Sequence, residues 1–152
     1  IYWVTDGVHG VPVDQPLENA IKAVVDFRNW ALKNVKQFLI SEGHCYSEAL
    51  WTGGITDCMA EMKNGEVWII DFKSSPVAYD SQFIQVAGYD IEQSENGIFD
   101  AEGNQTLPPQ EVKKYAIIPF GSKEFKVEIK EASKEFKDGF RAACVLHKLL
   151  NK

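Results

Sequence analysis

The 152 residues are 45% hydrophobic, 12% aromatic and 25% charged, with a net charge of −6; this is the ordinary make-up of one globular domain with room for a real core. No apolar run approaches membrane-spanning length and no signal peptide is visible, so no membrane partner is expected. Cys45, Cys58 and Cys144 are odd in number and form no CxxC spacing, which speaks against zinc, an iron–sulfur cluster and a disulfide framework, and for the reduced thiols of an intracellular protein.

Beginning at Ile1 rather than Met, the chain reads as a single domain over 1–152, trimmed at its N-terminus. Asp14, Pro16 and Glu18 form a helix-start pattern of capping acid, proline and first-turn acid. Apolar residues then recur at helical spacing from Leu17 through Phe27 to Leu39, predicting one long helix to about Ile40 that Gly43 ends. Strands are expected over 45–52 and 55–62, separated by Gly53 and Gly54. The Asn64 and Gly65 turn signal makes a hairpin into a third strand at 66–73. Ser74, Ser75 and Pro76 break the chain, and 82–95 reads as a second helix closed by Asn96 and Gly97. Residues 98–110 read as loop, 115–120 and 125–129 as a strand pair, and a last helix carries Phe136, Phe140, Ala143, Cys144, Leu146 and Leu150. The order α-β-β-β-α-β-β-α implies an α/β sandwich, a mixed central sheet flanked by helices.

Charge is distributed unevenly. Between Ser74 and Val112 there are seven acids and no Lys or Arg, whereas from Lys113 onward ten basic residues face five acids. A locally positive region of this kind can contact phosphates although the whole chain is acidic; the same lysines also suit a solvated helix face.

The third strand is where chemistry enters. Val67, Trp68, Ile69 and Ile70 should continue into core, yet the strand ends in Asp71, Phe72 and Lys73. Residues two apart on a strand share a face, so Asp71 and Lys73 point the same way. Asp57, across the hairpin, stands where an apolar residue would be expected, and pairing of the two strands can bring it to Asp71. Two adjacent carboxylates repel unless a proton or a cation separates them. Mg²⁺ and Mn²⁺ prefer such oxygen ligands, with water and substrate phosphate completing the shell. A lysine beside them can hold a phosphate oxygen or orient water. Alone, the D-x-K tripeptide is common and reads as a structural salt bridge of Lys73 with Asp71 or Asp57; only its surroundings make it specific. Gln85 and Tyr89, four apart, share a face of the following helix.

Together the stretches GGITD, WIIDFKSS and QVAGY resemble the PD-(D/E)XK nuclease superfamily, in particular its RecB-like and phage-type exonuclease branch, with G-x-x-D, D-x-K and Q-x-x-x-Y motifs. The likeness covers residues 45–95 by motif and most of the chain by element order. It implies a restriction-endonuclease-like fold and a Mg²⁺- or Mn²⁺-dependent deoxyribonuclease of one or two ions, most simply an exonuclease of DNA recombination, repair or phage DNA processing. A structure- or site-specific endonuclease on the same fold, or a non-catalytic binding module, are the alternatives. By resemblance, Asp57 and Asp71 are metal ligands, the Phe72 carbonyl a further one, Lys73 the catalytic lysine, and Gln85 with Tyr89 the pair that positions the DNA strand. Ser74 stands where the family often has Thr. Glu48 falls where many relatives carry a glutamate near the metal, and also suits an exposed strand edge. His9 is the upstream candidate for the histidine ligand that this branch often places in its first helix. The resemblance further implies DNA, as duplex end or single strand, as the partner. It also implies a homo-oligomer or a recombination protein as companion, and the cytoplasm of a bacterial or phage-infected cell as location. Exposed aromatics such as Trp51 or Tyr79 are candidates to stack a base, although such residues more often belong to the core or its rim.

Overall fold

The computed structural model describes residues 15–151, with side chains from residue 18; the capping role expected of Asp14 and the ligand role of His9 lie outside the described residues. Ten elements follow one another: α1 (Gln15–Asn34), β1 (Val35–Ser47), β2 (Thr52–Met62), β3 (Val67–Lys73), α2 (Asp80–Asn96), β4 (Ile98–Phe99), β5 (Gln105–Leu107), β6 (Val112–Pro119), β7 (Glu128–Glu131) and α3 (Lys134–Leu150). The strands form one mixed sheet in the order β5-β4-β1-β2-β3-β6-β7. All its pairings are antiparallel except β3 with β6, which run parallel because α2 carries the chain across between them. The expected α/β architecture with a mixed sheet and flanking helices is present.

Each face of the sheet has its own core. Phe27 of α1 packs on Cys58, Ala60, Trp68, Ile70, Ala116 and Ile118. On the other face Phe83, Val86 and Ala87 of α2 cover Met59, Ile69, Tyr115 and Ile117. In β3, and in β6 from Tyr115 onward, odd- and even-numbered residues divide between the two layers as strand alternation requires, while Val112, at the register shift between Val67 and Trp68, joins the α2-side core. α3 packs outside α2, and Gly88 is what lets the helices approach: a methyl there would run into the Phe140 ring. No helix among the described residues is long and apolar enough to cross a membrane. All three cysteines are free and buried.

Three expectations are corrected. The first helix ends at Asn34 and not near Ile40; residues 35–40 begin β1. Register shifts in the β1–β2 ladder fall between Val35 and Gln37 and between Phe38 and Ile40. Such bulges break the two-residue period, so Val35, Phe38 and Leu39 acquire a helix-like spacing while belonging to a strand. The helix end is fixed by long-range partners: Lys63 N–H donates to the Asn34 carbonyl (2.9 Å) and Lys63 Nζ to that of Leu32 (2.7 Å). The first strand therefore runs to Ser47, and residues 48–51 turn into β2 instead of belonging to a strand. The stretch read as loop, 98–110, holds the short strands β4 and β5. In α3, Cys144 is buried but Leu146 and Leu150 are 57% and 75% exposed, so the apolar stripe of the last helix is only partly covered by this chain.

Candidate active site

The hairpin predicted at Asn64 and Gly65 forms, with Gly65 at φ 89° and its N–H bonded to the Met62 carbonyl (2.9 Å). From it β2 and β3 pair in register as far as Cys58 opposite Ile70. One further step would set Asp57 opposite Asp71, and there the ladder stops. The Phe72 N–H donates to Asp57 Oδ2 (3.0 Å) instead of to a main-chain carbonyl. β3 continues beyond the fork, paired along its other edge with β6 down to Lys73 opposite Pro119. A side chain thus takes the place of the backbone acceptor, and the two aspartates meet in the opening between the strands.

Asp71 is only 2% exposed. Lys73 Nζ lies 3.0 Å from its Oδ2. The contact is an ion pair outside hydrogen-bond angles, so this buried oxygen lacks a hydrogen bond among the described residues. Burial, and next the Asp57 carboxyl beside it, push the Asp71 acid up to about 7; Lys73 works in the opposite direction. The Lys73 ammonium is also held by Gln85 Oε1 at 2.8 Å, so β3 and α2 fix it from two sides. Tyr89 sits one turn after Gln85 on α2. Burial first, then the charges of Asp71 and Asp57, raise its phenol to about 12, which keeps it a hydrogen-bond donor at neutral pH. Gly54 makes room for that ring, since a methyl there would meet Tyr89. Five residues named from the sequence, Asp57, Asp71, Lys73, Gln85 and Tyr89, therefore come together, with Phe72 binding Asp57 through its amide.

Glu48 lies elsewhere, exposed in the β1–β2 turn, its N–H bonded to Glu95 Oε1 (2.8 Å). Thr52 to Asp57 is five strand steps, roughly 17 Å at strand rise, so the turn sits well away from the fork. Two other acids are closer to the site and were not singled out by sequence. Glu92 follows Tyr89 by three residues on the same helix face and is 2% exposed. Its Oε2 receives the Cys45 thiol (3.6 Å), and burial raises the acid to about 7. The spacing Gln85, Tyr89, Glu92 was the available signal, a helical i, i+4, i+7 stripe of polar residues facing a sheet. Glu42 is the other. Ser41 pairs with Cys58 and Gly43 with Thr56, so Glu42 stands across from Asp57. Its φ of 66° is the left-handed conformation that a glutamate rarely adopts. Nothing in the sequence announces that backbone.

Among the described residues no three His, Cys, Asp or Glu side chains gather into a metal-holding group. A hard dication commonly takes only one or two protein carboxylates, with water and phosphate oxygens supplying the rest. The orphaned Oδ2 of Asp71 beside the Asp57 carboxylate suits that donor set, with the Phe72 carbonyl adjacent in the chain. No protein-family model matches the chain, and no curated protein matches it.

Proposed function

We propose that the protein is a dication-dependent phosphodiesterase acting on DNA, most simply an exonuclease of the PD-(D/E)XK type. What carries the reading is the fork: two acids and a lysine converge where β2 leaves β3, and one acid is buried with an oxygen left without a hydrogen bond. Leaving repelling acids together in a core costs stability, and a structural salt bridge between Asp71 and Lys73 would not need Asp57.

In this mechanism Asp57 and Asp71 would hold one or two Mg²⁺ or Mn²⁺ ions, with the Phe72 carbonyl as a further ligand. Such an ion, when bound, supplies charge neutralisation at the phosphate and a more acidic water. The protein groups do the rest. Lys73, gripped by Gln85, presents its ammonium to a non-bridging phosphate oxygen or to the attacking water, and compensates negative charge that builds up in the transition state. Tyr89, un-ionised at neutral pH, offers a hydroxyl proton toward the substrate strand. Basic residues beyond Lys113 would follow the phosphate backbone. By resemblance the products carry 5′-phosphates.

The test is incubation of end-labelled DNA with Mg²⁺ or Mn²⁺, with wild type beside Asp71→Ala and Lys73→Ala. Wild type is expected to degrade the DNA and the variants to fail; equal degradation by all three would refute the assignment. A covalently closed circle run beside the linear duplex decides exonuclease against endonuclease.

A further inference from the structure

On the α1 side of the sheet a crevice of about 550 Å³ opens directly beside the fork, and Asp57 lines it. Its walls are Val24, Phe27, Phe72 and Phe120, with Glu42 at the rim. Phe72 and Phe120 stack parallel, centroids 5.4 Å apart at 5°, and Phe27 meets Phe72 edge-on at 5.1 Å. Phe120 is 37% exposed, and so presents ring surface to the crevice that the protein does not cover. Its position is tied to the lysine strand: Phe120 N–H donates to the Lys73 carbonyl (2.8 Å) and Gly121 N–H to that of Ser75 (3.1 Å). A methyl on Gly121 would strike the Ser74 and Ser75 backbone, so the loop lies flush on that segment.

The chemistry of the walls selects the occupant. The described lining residues include two acids, Glu42 and Asp57, and neither Lys nor Arg, which disfavours a phosphate and favours a neutral, flat group with N–H donors. Lys22 and Lys123 belong instead to the adjoining hollow, which shares Phe120. Aromatic faces beside positive charge are how single strands are gripped without sequence preference.

We infer that this crevice is a nucleobase subsite: the base next to the scissile phosphate leaves its helical stack and lies against Phe120 and Phe72, while the neighbouring phosphate meets Lys123. The inference rests on the nuclease reading and sharpens its substrate class, from DNA in general to a single-stranded or fraying end. Base–aromatic contacts of this kind change affinity by about tenfold per base.

The experiment uses the full chain with Mn²⁺ and single-stranded oligonucleotides that are intact or carry one abasic residue at successive positions from the end. Wild type, Phe120→Ala, Phe120→Leu and Phe120→Trp are compared by kcat/KM. Wild type is expected to lose about tenfold at one abasic position. Phe120→Ala and Phe120→Leu lose a similar factor on the intact strand and show no further abasic penalty, whereas Phe120→Trp behaves as wild type. Phe120→Ala and Phe120→Leu cutting the intact strand at the wild-type rate, or keeping the full abasic penalty, would overturn the subsite and leave the nuclease reading standing. A wild type that cuts no DNA would end both.

Discussion

Asp71 and Asp90 are equally hidden, at 2% and 1% exposure, and both approach a lysine, but their surroundings are opposite. Asp90 is fully employed. Its Oδ2 accepts from the Tyr115 hydroxyl (2.6 Å) and faces Lys137 Nζ (3.5 Å), and its Oδ1 accepts from Gln93 (3.0 Å) and Ser94 (3.2 Å). This network bolts α2 to β6 and α3. Among the described residues, Asp71 has a second acid for a neighbour, one oxygen without a hydrogen bond, and an ion pair with Lys73. Buried polar groups are normally satisfied. A buried carboxylate with every lone pair used reads as structure, and one left short of partners reads as a site awaiting a ligand.

That contrast can be broken from either side. The largest effect belongs to Asp71→Asn, which should lower DNA cleavage on the order of 10³-fold while thermal stability holds or rises, because a repulsive pair is relieved. Asp90→Ala should do the reverse. It leaves Lys137 and Tyr115 without their acceptor and costs about 3 kcal/mol in denaturant unfolding, with cleavage per folded molecule little changed. If Asp90→Ala removes cleavage without lowering stability, the distinction between the two aspartates is wrong.

Glu92 sharpens the comparison through pH. Its acid sits near 7 in the fold against an ordinary 4.5, so between those values the native state keeps a proton that the unfolded chain has lost. Its contribution is therefore most favourable below about 4.5 and declines as pH rises to about 7. Glu92→Gln removes that slope, and unfolding curves at pH 4.5 and 8 should show the variant gaining on wild type by on the order of 2–3 kcal/mol. An unchanged slope would mean that Glu92 is solvated. The smallest effect is Gly88→Ala. Crowding the Phe140 ring should cost about 1–2 kcal/mol and leave the cleavage rate near wild type, since the glycine serves helix packing.

The sequence made the site more legible than the fold around it. Asp57, Asp71 and Lys73 could be paired across a hairpin because an Asn-Gly turn fixes register and strand alternation fixes direction. Gln85 and Tyr89 followed from helix spacing. The end of α1 did not, because bulges in β1 imitate a helical period and the stop at Asn34 depends on Lys63, far along the chain. β4 and β5, of two and three residues, are too short to show any period. Glu42 escaped because its place opposite Asp57 is a matter of backbone conformation. Glu48 was put near the fork by analogy, and the turn at 48–51 carries it away.

Whether Asp57 and Asp71 act as one cation site is best decided by titrating Mn²⁺ into the full-length protein at neutral pH, followed by calorimetry or Mn²⁺ electron paramagnetic resonance. Wild type should bind the ion, and Asp57→Asn and Asp71→Asn should each abolish that binding while remaining folded. If each single variant retained wild-type affinity, the two acids would not be working together and the proposed nuclease centre would be ruled out.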